Sequence, residues 1–361
     1  MKIISIVGAR PQFIKLKPIA DRLKGEKGIK HVMVHTGQHY DYEMSKIFFD
    51  ELSIPKPHYN LKAGSNRQGK QTAIMLERIE KVLIKEKPDM VLVYGDTNST
   101  LAGALGAAKM CIPVAHIEAG LRSYRLDMPE EINRVLTDRI SKLLFCPNKN
   151  AVQNLKKEGI TKGVYLAGDV MYDVFKRSEK AVDRRKIVSM LGLKPKKYIL
   201  LTIHRKENTD DPKSLRRILD CLSLVREKIV FPVHPRTRNV LQKGKKPHPK
   251  RNSNIILVDP VGYLDMLVLE KNAKKIITDS GGVQKEAYWF KVPCVTIRNE
   301  TEWINTVESG WNILAGKDLK KLRTLAGGRS FSTHLLPKKY RSNKDAAKVI
   351  VQVIKKQAGL C

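Results

Sequence analysis

The stretch KIISIVGARPQFIKLKPIADRL, residues 2–23, decides the fold class. Ile3 to Val7 is a short apolar run rich in β-branched residues, which reads as a strand buried on both faces. Gly8-Ala9-Arg10-Pro11 then makes a turn with proline near a helix start, and Phe13, Leu16, Ile19, Ala20 and Leu23 recur on one helical face. A buried strand that turns directly into an amphipathic helix is the opening half of a βαβ unit.

Outward from that stretch the pattern repeats. Strands are predicted near His31–His35, Met90–Tyr94, Val114–Ile117 and Leu143–Phe145, with helices between them. After Gly168-Asp169 the cycle restarts, with strands near Tyr198–Leu201, Ile229–Val233, Ile255–Val258, Lys275–Thr278 and Cys294–Ile297 and helices near 211–224, 262–271 and 281–290. The predicted fold is α/β, two Rossmann-like parallel-sheet domains (1–168 and 169–345) facing a central cleft. Residues 346–361 form a C-terminal helix, with Ala346, Val349, Ile350, Val353 and Ile354 as a stripe that can pack back on the N-terminal domain. Ligands of open α/β sheets bind at the carboxyl ends of the strands, which makes the cleft the expected site.

Composition narrows the function classes. The chain has 361 residues, 42% hydrophobic, enough for a core in each of two domains. Its net charge is +32; residues 1–175 hold 27 basic and 19 acidic side chains and residues 176–361 hold 41 and 17, so the excess lies in the second half. Such a charge suggests polyanions, but the basic runs at 176–197 and KGKKPHPKR (243–251) carry no interleaved aromatics, so nucleic acid is not the expected partner. No run of about 18 apolar residues predicts a membrane span, and the N-terminal apolar run is too short for a leader. The five cysteines (Cys111, Cys146, Cys221, Cys294, Cys361) never stand in C-x-x-C spacing, and the histidines show no metal-ligand spacing. A cytoplasmic protein without metal or disulfide framework is expected.

Three segments carry phosphate signals. Gly64 to Lys70 matches G-x-x-x-x-G-K, but Gln71 stands where a P-loop needs Ser or Thr and no apolar strand precedes it, so it reads as a loop entering a helix. Thr278-Asp-Ser-Gly-Gly282 and Gly8-Ala-Arg10 each follow a buried strand and open a helix, which aims backbone N–H groups at an anion. For Ser280, Gly281 and Gly282 the alternative is a capped helix start with Ser280 as the cap. Arg10 reads as a phosphate clamp or a surface cation. Glu286 reads as a ribose contact on the same helix or a solvated acid.

Carboxylates recur at strand ends. Asp96 follows the strand VLVYG and Glu118 follows VAHI, while Pro129-Glu130-Glu131 places acid at a helix start. Each alone fits a helix cap or first-turn acid; three converging on one sheet edge suit general acid/base chemistry. His204 ends a strand of the second domain, either to act on an anionic leaving group or as a loop residue bonded to backbone, and His234 poses the same choice.

Taken together, GARPQFIK (8–15), HTGQH (35–39), VYGDTNST (93–100), HIEAGLRS (116–123), PEEINR (129–134), GD (168–169), HR (204–205), TDSGGVQKEA (278–287) and TEW (301–303) resemble the non-hydrolysing UDP-N-acetylglucosamine 2-epimerases. The resemblance runs from residue 1 to about 310 in order. It implies a GT-B-like fold, usually dimeric, that interconverts UDP-GlcNAc and UDP-ManNAc without a cofactor. By motif position it implies Asp96, Glu118 and Glu130 as catalytic carboxylates and His204 at the UDP end. It also implies Arg10 and Lys15 on the diphosphate side, Ser280, Gly281 and Gly282 on the phosphates, Glu286 on the ribose and Met266 on the uracil side. Val261, Met266 and Trp303 depart from the common bacterial pattern, and these details resemble the subfamily acting on UDP-2,3-diacetamido-2,3-dideoxyglucuronate. QHYDYEM (38–44) also departs from the segment of members with an allosteric site.

Overall fold

The protein is described by a computed structural model that covers residues 1–38, 50–209, 211–233, 235–242, 254–328, 345–357 and 359. The expectations for His39 and the rest of the 39–44 segment, for His234, for the 243–251 loop and for Cys361 lie outside those residues. The chain forms two units, Met1–Arg177 with Arg341–Cys361, and Ser178–Tyr340. The division falls inside the helix Val170–Val182 rather than at residue 168, because Asp173 on that helix bonds the backbone N–H groups of Ala346 and Ala347 in the first unit.

The first unit is a seven-stranded sheet of β1 (Lys2–Val7), β2 (Lys30–His35), β3 (Tyr59–Asn60), β4 (Met90–Tyr94), β5 (Val114–Ile117), β6 (Leu143–Cys146) and β7 (Val164–Leu166). All pairs are parallel, in the order β3-β2-β1-β4-β5-β6-β7. Helices α1 (Arg10–Lys24), α2 (Gln68–Glu86), α3 (Asn98–Lys109), α4 (Pro129–Ile140) and α5 (Lys149–Lys157) lie in the crossovers, and α6 (Val170–Val182) follows β7. Ile4, Ile6, Val32, Val34, Val91 and Val93 bury one face of the sheet against Met75, Ile79 and Leu83 of α2 and the alanines of α3. Small residues let α3 lie close: a side chain at Gly103 would begin 3.0 Å from Ile6.

The second unit repeats the plan with six parallel strands, β8 (Tyr198–Thr202), β9 (Lys228–Pro232), β10 (Ile255–Val258), β11 (Lys275–Thr278), β12 (Cys294–Thr296) and β13 (Asn312–Leu314), in the order β10-β9-β8-β11-β12-β13. Its helices are α7 (Ile187–Met190), α8 (Lys206–Thr209), α9 (Pro212–Ser223), α10 (Pro235–Gln242), α11 (Tyr263–Asn272), α12 (Gly281–Trp289), α13 (Ile304–Glu308) and α14 (Leu319–Gly327). The last helix, α15 (Ala346–Gln357), packs on α1 in the first unit through Ala346, Ala347, Ile350, Val351 and Ile354. The fold is thus the two-sheet α/β architecture the sequence predicts.

In both sheets the strand order reverses beside the first strand, at β1/β4 and at β8/β11. Such a switch point leaves the carboxyl ends of two adjacent strands uncovered by a crossover, where ligands bind. Gly8–Lys15 follows β1, Asp96 follows β4, His204 follows β8 and Ser280 follows β11. The strands missing from the sequence prediction, β3, β7 and β13, have only two or three residues each and lie at sheet edges, too short to show a period. The Gly64–Lys70 segment leads into α2, with Gln71 donating to the Gly64 carbonyl and accepting from Asn98.

Two buried histidines of the first unit give stability a pH dependence. Burial, aided by His58, lowers His31 to about 4, and burial lowers His35 to about 4 while its Nδ1 accepts the Gly37 N–H. Both are neutral in the fold but take protons in the unfolded chain below about pH 6.5. Asp173 acts in the opposite sense: burial raises it to about 6 against the N–H groups of Ala346 and Ala347, so acidification below 6 favours its folded form. Two such groups outweigh one, since each tenfold change in proton affinity between the folded and unfolded chain is worth about 1.4 kcal/mol. The thermal midpoint is therefore expected to fall as the pH is lowered from 6.5 to 4; a flat profile from scanning calorimetry would contradict these burials.

Candidate active site

The first unit assembles a carboxylate network at the carboxyl ends of β1, β4 and β5. Gly8 is obligatory there, because a Cβ would lie 1.9 Å from Thr36 Oγ1 and 2.3 Å from Ser99 Oγ. Gln12, four residues on, folds back: its Oε1 accepts the N–H groups of Gly8 and Ala9 at 2.8 and 3.0 Å, and its Nε2 donates to the Tyr94 carbonyl at 2.9 Å. The turn after β1 is thereby tied to the end of β4, and two of the N–H groups that the sequence offers to an anion are already taken. Arg10 opens α1 and is half-buried.

Asp96 and Glu118 stand one step apart on neighbouring strands. Gly95 donates to the Ile117 carbonyl, and a Cβ at Gly95 would lie 3.4 Å from Glu118 Oε1 and 2.7 Å from Lys15 Nζ. Glu118 is buried and holds a left-handed backbone, φ 72°, a strained conformation for a residue with a Cβ; its own N–H and that of Ala119 both donate to the Phe145 carbonyl. Strain of this kind persists where the surroundings over-determine it, as at sites that need one carboxylate direction. The buried Lys15 ammonium, which the resemblance assigns to the diphosphate side, pairs with Glu118.

Helix α4 carries two neighbouring acids in different surroundings. Glu131 is buried and accepts from Ser123 N–H and Oγ, from Tyr124 N–H and from Arg134, so it is fully engaged in holding the loop after β5. Glu130, a rotation of about 100° away on the helix, is half-buried and has no such anchor among the described residues. Arg134 bridges Glu131 and Asp96, and Asn133 donates to the Asp96 carbonyl at 2.9 Å. Arg134, Asn133 and Gln12 are absent from the sequence-based set. For Arg134 the signal was present, since Glu130 and Glu131 precede it by four and three residues, the spacing of helical ion pairs.

The second unit places the start of α12 beside cations. Ser280 is the N-cap of α12 but its side chain makes no capping bond; its N–H donates to Thr278 Oγ1 at 2.9 Å. The capped-start alternative is thus not the one the chain adopts. Glu302 Oε1 and Trp303 Nε1 sit 2.6 and 3.1 Å from where a Gly281 Cβ would be, so a larger residue there would have to displace the Glu302 carboxylate. Glu302 pairs with the buried Arg298 at 2.9 Å and lies 3.8 Å from Arg205, while Lys285 Nζ stacks 4.0 Å from the centre of the Trp303 ring. His204 is 39% exposed at its side chain; its N–H and that of Arg205 donate to the fully buried Asp279, and its Nδ1 lies 3.6 Å from the same carboxylate. Glu286 is 4% exposed, so it is not a solvated acid, and Met266 is buried on α11.

Among the described residues no group of three or more His, Cys, Asp or Glu is placed to hold a metal ion, and no helix is long and apolar enough to cross a membrane.

Comparison with known proteins fits this geometry. The family model for UDP-N-acetylglucosamine 2-epimerase matches residues 21–355. A Methanococcus maripaludis protein described as a UDP-N-acetylglucosamine 2-epimerase homolog is 57% identical over 325 residues, 89% of this chain and 90% of the relative. The Pseudomonas aeruginosa UDP-2,3-diacetamido-2,3-dideoxy-D-glucuronate 2-epimerase is 48% identical over 324 residues, 88% of either chain. The crystal structure of Methanocaldococcus jannaschii UDP-GlcNAc 2-epimerase in complex with UDP-GlcNAc and UDP superposes with a TM-score of 0.87 at 42% identity, covering 99% of this chain and 100% of that one.

Proposed function

This chain belongs to the UDP-N-acetylglucosamine 2-epimerase family, and on that premise we propose that it inverts C2 of a UDP-2-acetamido sugar, UDP-GlcNAc to UDP-ManNAc, by eliminating and re-adding UDP. The observation that carries the reading is the strained, ion-paired Glu118 beside Asp96, with Glu130 on the adjoining helix. These are acids and bases held at one sheet edge, as proton transfer at a sugar carbon requires.

C2 of such a sugar is not next to a carbonyl, so removing its proton alone leaves an unstabilised carbanion. Elimination avoids this. As the C1–O bond breaks, its electron pair leaves with UDP and positive charge develops at C1; a carboxylate takes the C2 proton, and the C–H pair becomes the C1=C2 bond of a 2-acetamidoglucal. Protonation of C2 from the other face and return of UDP to C1 complete the epimer, with no net change in atoms or electrons. Asp96, Glu118 and Glu130 are assigned to these proton transfers. The departing diphosphate is assigned to the first-turn N–H groups of α12 with Ser280, Gly281 and Gly282, to Arg10 and to His204, and the ribose to Glu286. Lys15 fixes the Glu118 carboxylate, and Met266 lines the uracil side.

UDP-2,3-diacetamido-2,3-dideoxyglucuronate is the second substrate to test, because a relative 48% identical is named for it. Each nucleotide sugar is offered separately in D2O and followed by proton NMR. The reading expects the epimer of the better substrate to carry deuterium at C2; an epimer formed with protium there would overturn the elimination route.

A homodimer is also part of the proposal. Helix α4 turns Glu131, Arg134 and Asp138 inward and leaves Ile132 and Leu136 exposed, and Tyr124 and Leu126 before the helix are exposed too, apolar surface that suits a second copy of the chain.

A further inference from the structure

Among the described residues of the first unit His116 is the most completely enclosed histidine, the third residue of β5 and two before Glu118. Its Nε2 lies 2.7 Å from the Gly95 carbonyl oxygen and its Nδ1 lies 2.7 Å from Asp138 Oδ1. A carbonyl oxygen only accepts, so Nε2 carries a proton. Asp138 in turn receives the Gly120 N–H at 3.1 Å and Arg122 Nη1 at 2.7 Å on its second oxygen, the pattern of an ionised carboxylate. An ionised carboxylate also only accepts, which puts a proton on Nδ1 as well.

We infer that His116 is a buried imidazolium that acts as a positioning residue, clamping the Gly95–Asp96 turn to α4 and thereby setting the directions of Asp96, Glu118 and Glu130. The clamp joins three segments with one ring. Gly95 precedes Asp96, Asp138 lies on α4 eight residues beyond Glu130, and Gly120, bonded to that same Asp138, follows Glu118 by two. Opposite an ionised Asp138, a neutral ring has a single N–H and must abandon either the β4 turn or α4. The imidazolium thus does for the carboxylates what the outer hydrogen-bond partners of a metal site do for its ligands: it fixes their orientation without touching substrate.

The groups around the ring agree with the charge. From α4 comes Asp138; burial raises its carboxyl, but His116 and Arg122 outweigh burial and hold it below the ordinary range. From the loop after β5 comes Arg122, whose guanidinium burial would lower but which Glu158, at the end of α5, and Asp138 hold protonated. From β6 comes Cys146, its thiol pushed up to about 12 by burial and by the Asp138 anion. Two cations and two carboxylates make the cluster neutral, with Cys146 as a thiol.

The proposal rests on the epimerase reading for its consequence in turnover, but not for the state of the ring. In nitrogen-15 NMR of the wild-type protein at pH 7.5, both ring nitrogens of His116 are expected to be protonated; one bare nitrogen overturns the imidazolium. His116→Asn keeps one donor and loses the second, and is expected to lower kcat by about 10²-fold through misplacement of the carboxylates, with KM and the Kd for UDP unchanged. Wild-type kcat in that variant overturns the clamp. Asp138→Asn can keep every hydrogen bond, its amide donating to Nδ1 and its carbonyl accepting from Gly120 and Arg122, while the ring becomes neutral. It is expected to retain most of kcat and to show a single ring proton, on Nε2. Should His116→Asn fail to fold, seen as loss of UDP binding, these two measurements on Asp138→Asn decide: a kcat loss as deep as 10²-fold in a folded protein overturns the clamp. A wild-type protein that epimerises neither UDP-sugar refutes the functional reading instead, and leaves the ring NMR standing.

Discussion

Asp96→Asn is expected to bind UDP as the wild type does and to lose about 10²–10⁴-fold in kcat, the contribution of one positioned acid or base. The fold has little reason to suffer, because Arg134 keeps Glu131 as its counter-charge when Asp96 becomes neutral. Glu118→Gln is expected to lose as much turnover, and also to lower the melting temperature, because Lys15 is buried and pairs with Glu118. Titration calorimetry with UDP separates binding from chemistry in both variants. Near wild-type turnover in either would remove that residue from the proton transfers.

The neighbouring acids of PEEINR should divide in the same assay. Glu130→Gln is expected to leave the melting temperature unchanged and to remove about 10²–10⁴-fold of kcat. Glu131→Gln removes the anion that receives Ser123, Tyr124 and Arg134 inside the protein, and is expected to cost about 3–5 kcal/mol of stability, as other broken buried pairs do. If Glu131→Gln proved stable and inactive while Glu130→Gln stayed active, the assignment of the two would have to be exchanged.

Strand–turn–helix alternation was legible because strands buried on both faces are written as short runs dominated by apolar residues: Ile3–Val7, Met90–Tyr94 and Lys275–Thr278 lie where the sequence places them. The site segments were legible for a related reason. Glycines after a strand, such as Gly8 with no room for a Cβ, and acids directly after a strand are local features, and their positions in the chain carry over to positions at a sheet edge. The edge strands were not legible, since two or three residues show no period.

What the sequence determined by itself is the list of chemical groups and the strand ends on which they stand, because both follow from local pattern and from the right-handed parallel βαβ rule. What only the tertiary structure decided is which of those groups are tied up in buried ion pairs. Periodicity in α4 would turn Ile132 and Leu136 toward a core, yet they face out, because Glu131, Arg134 and Asp138 find buried partners on the loop after β5, on Asp96 and on His116. Those partners come from 7 to 38 residues away in the chain. Charge pairing over such separations leaves no trace in the spacing of one helix, and it is this pairing that engages Glu131 in the interior while its neighbour Glu130 stays half-buried.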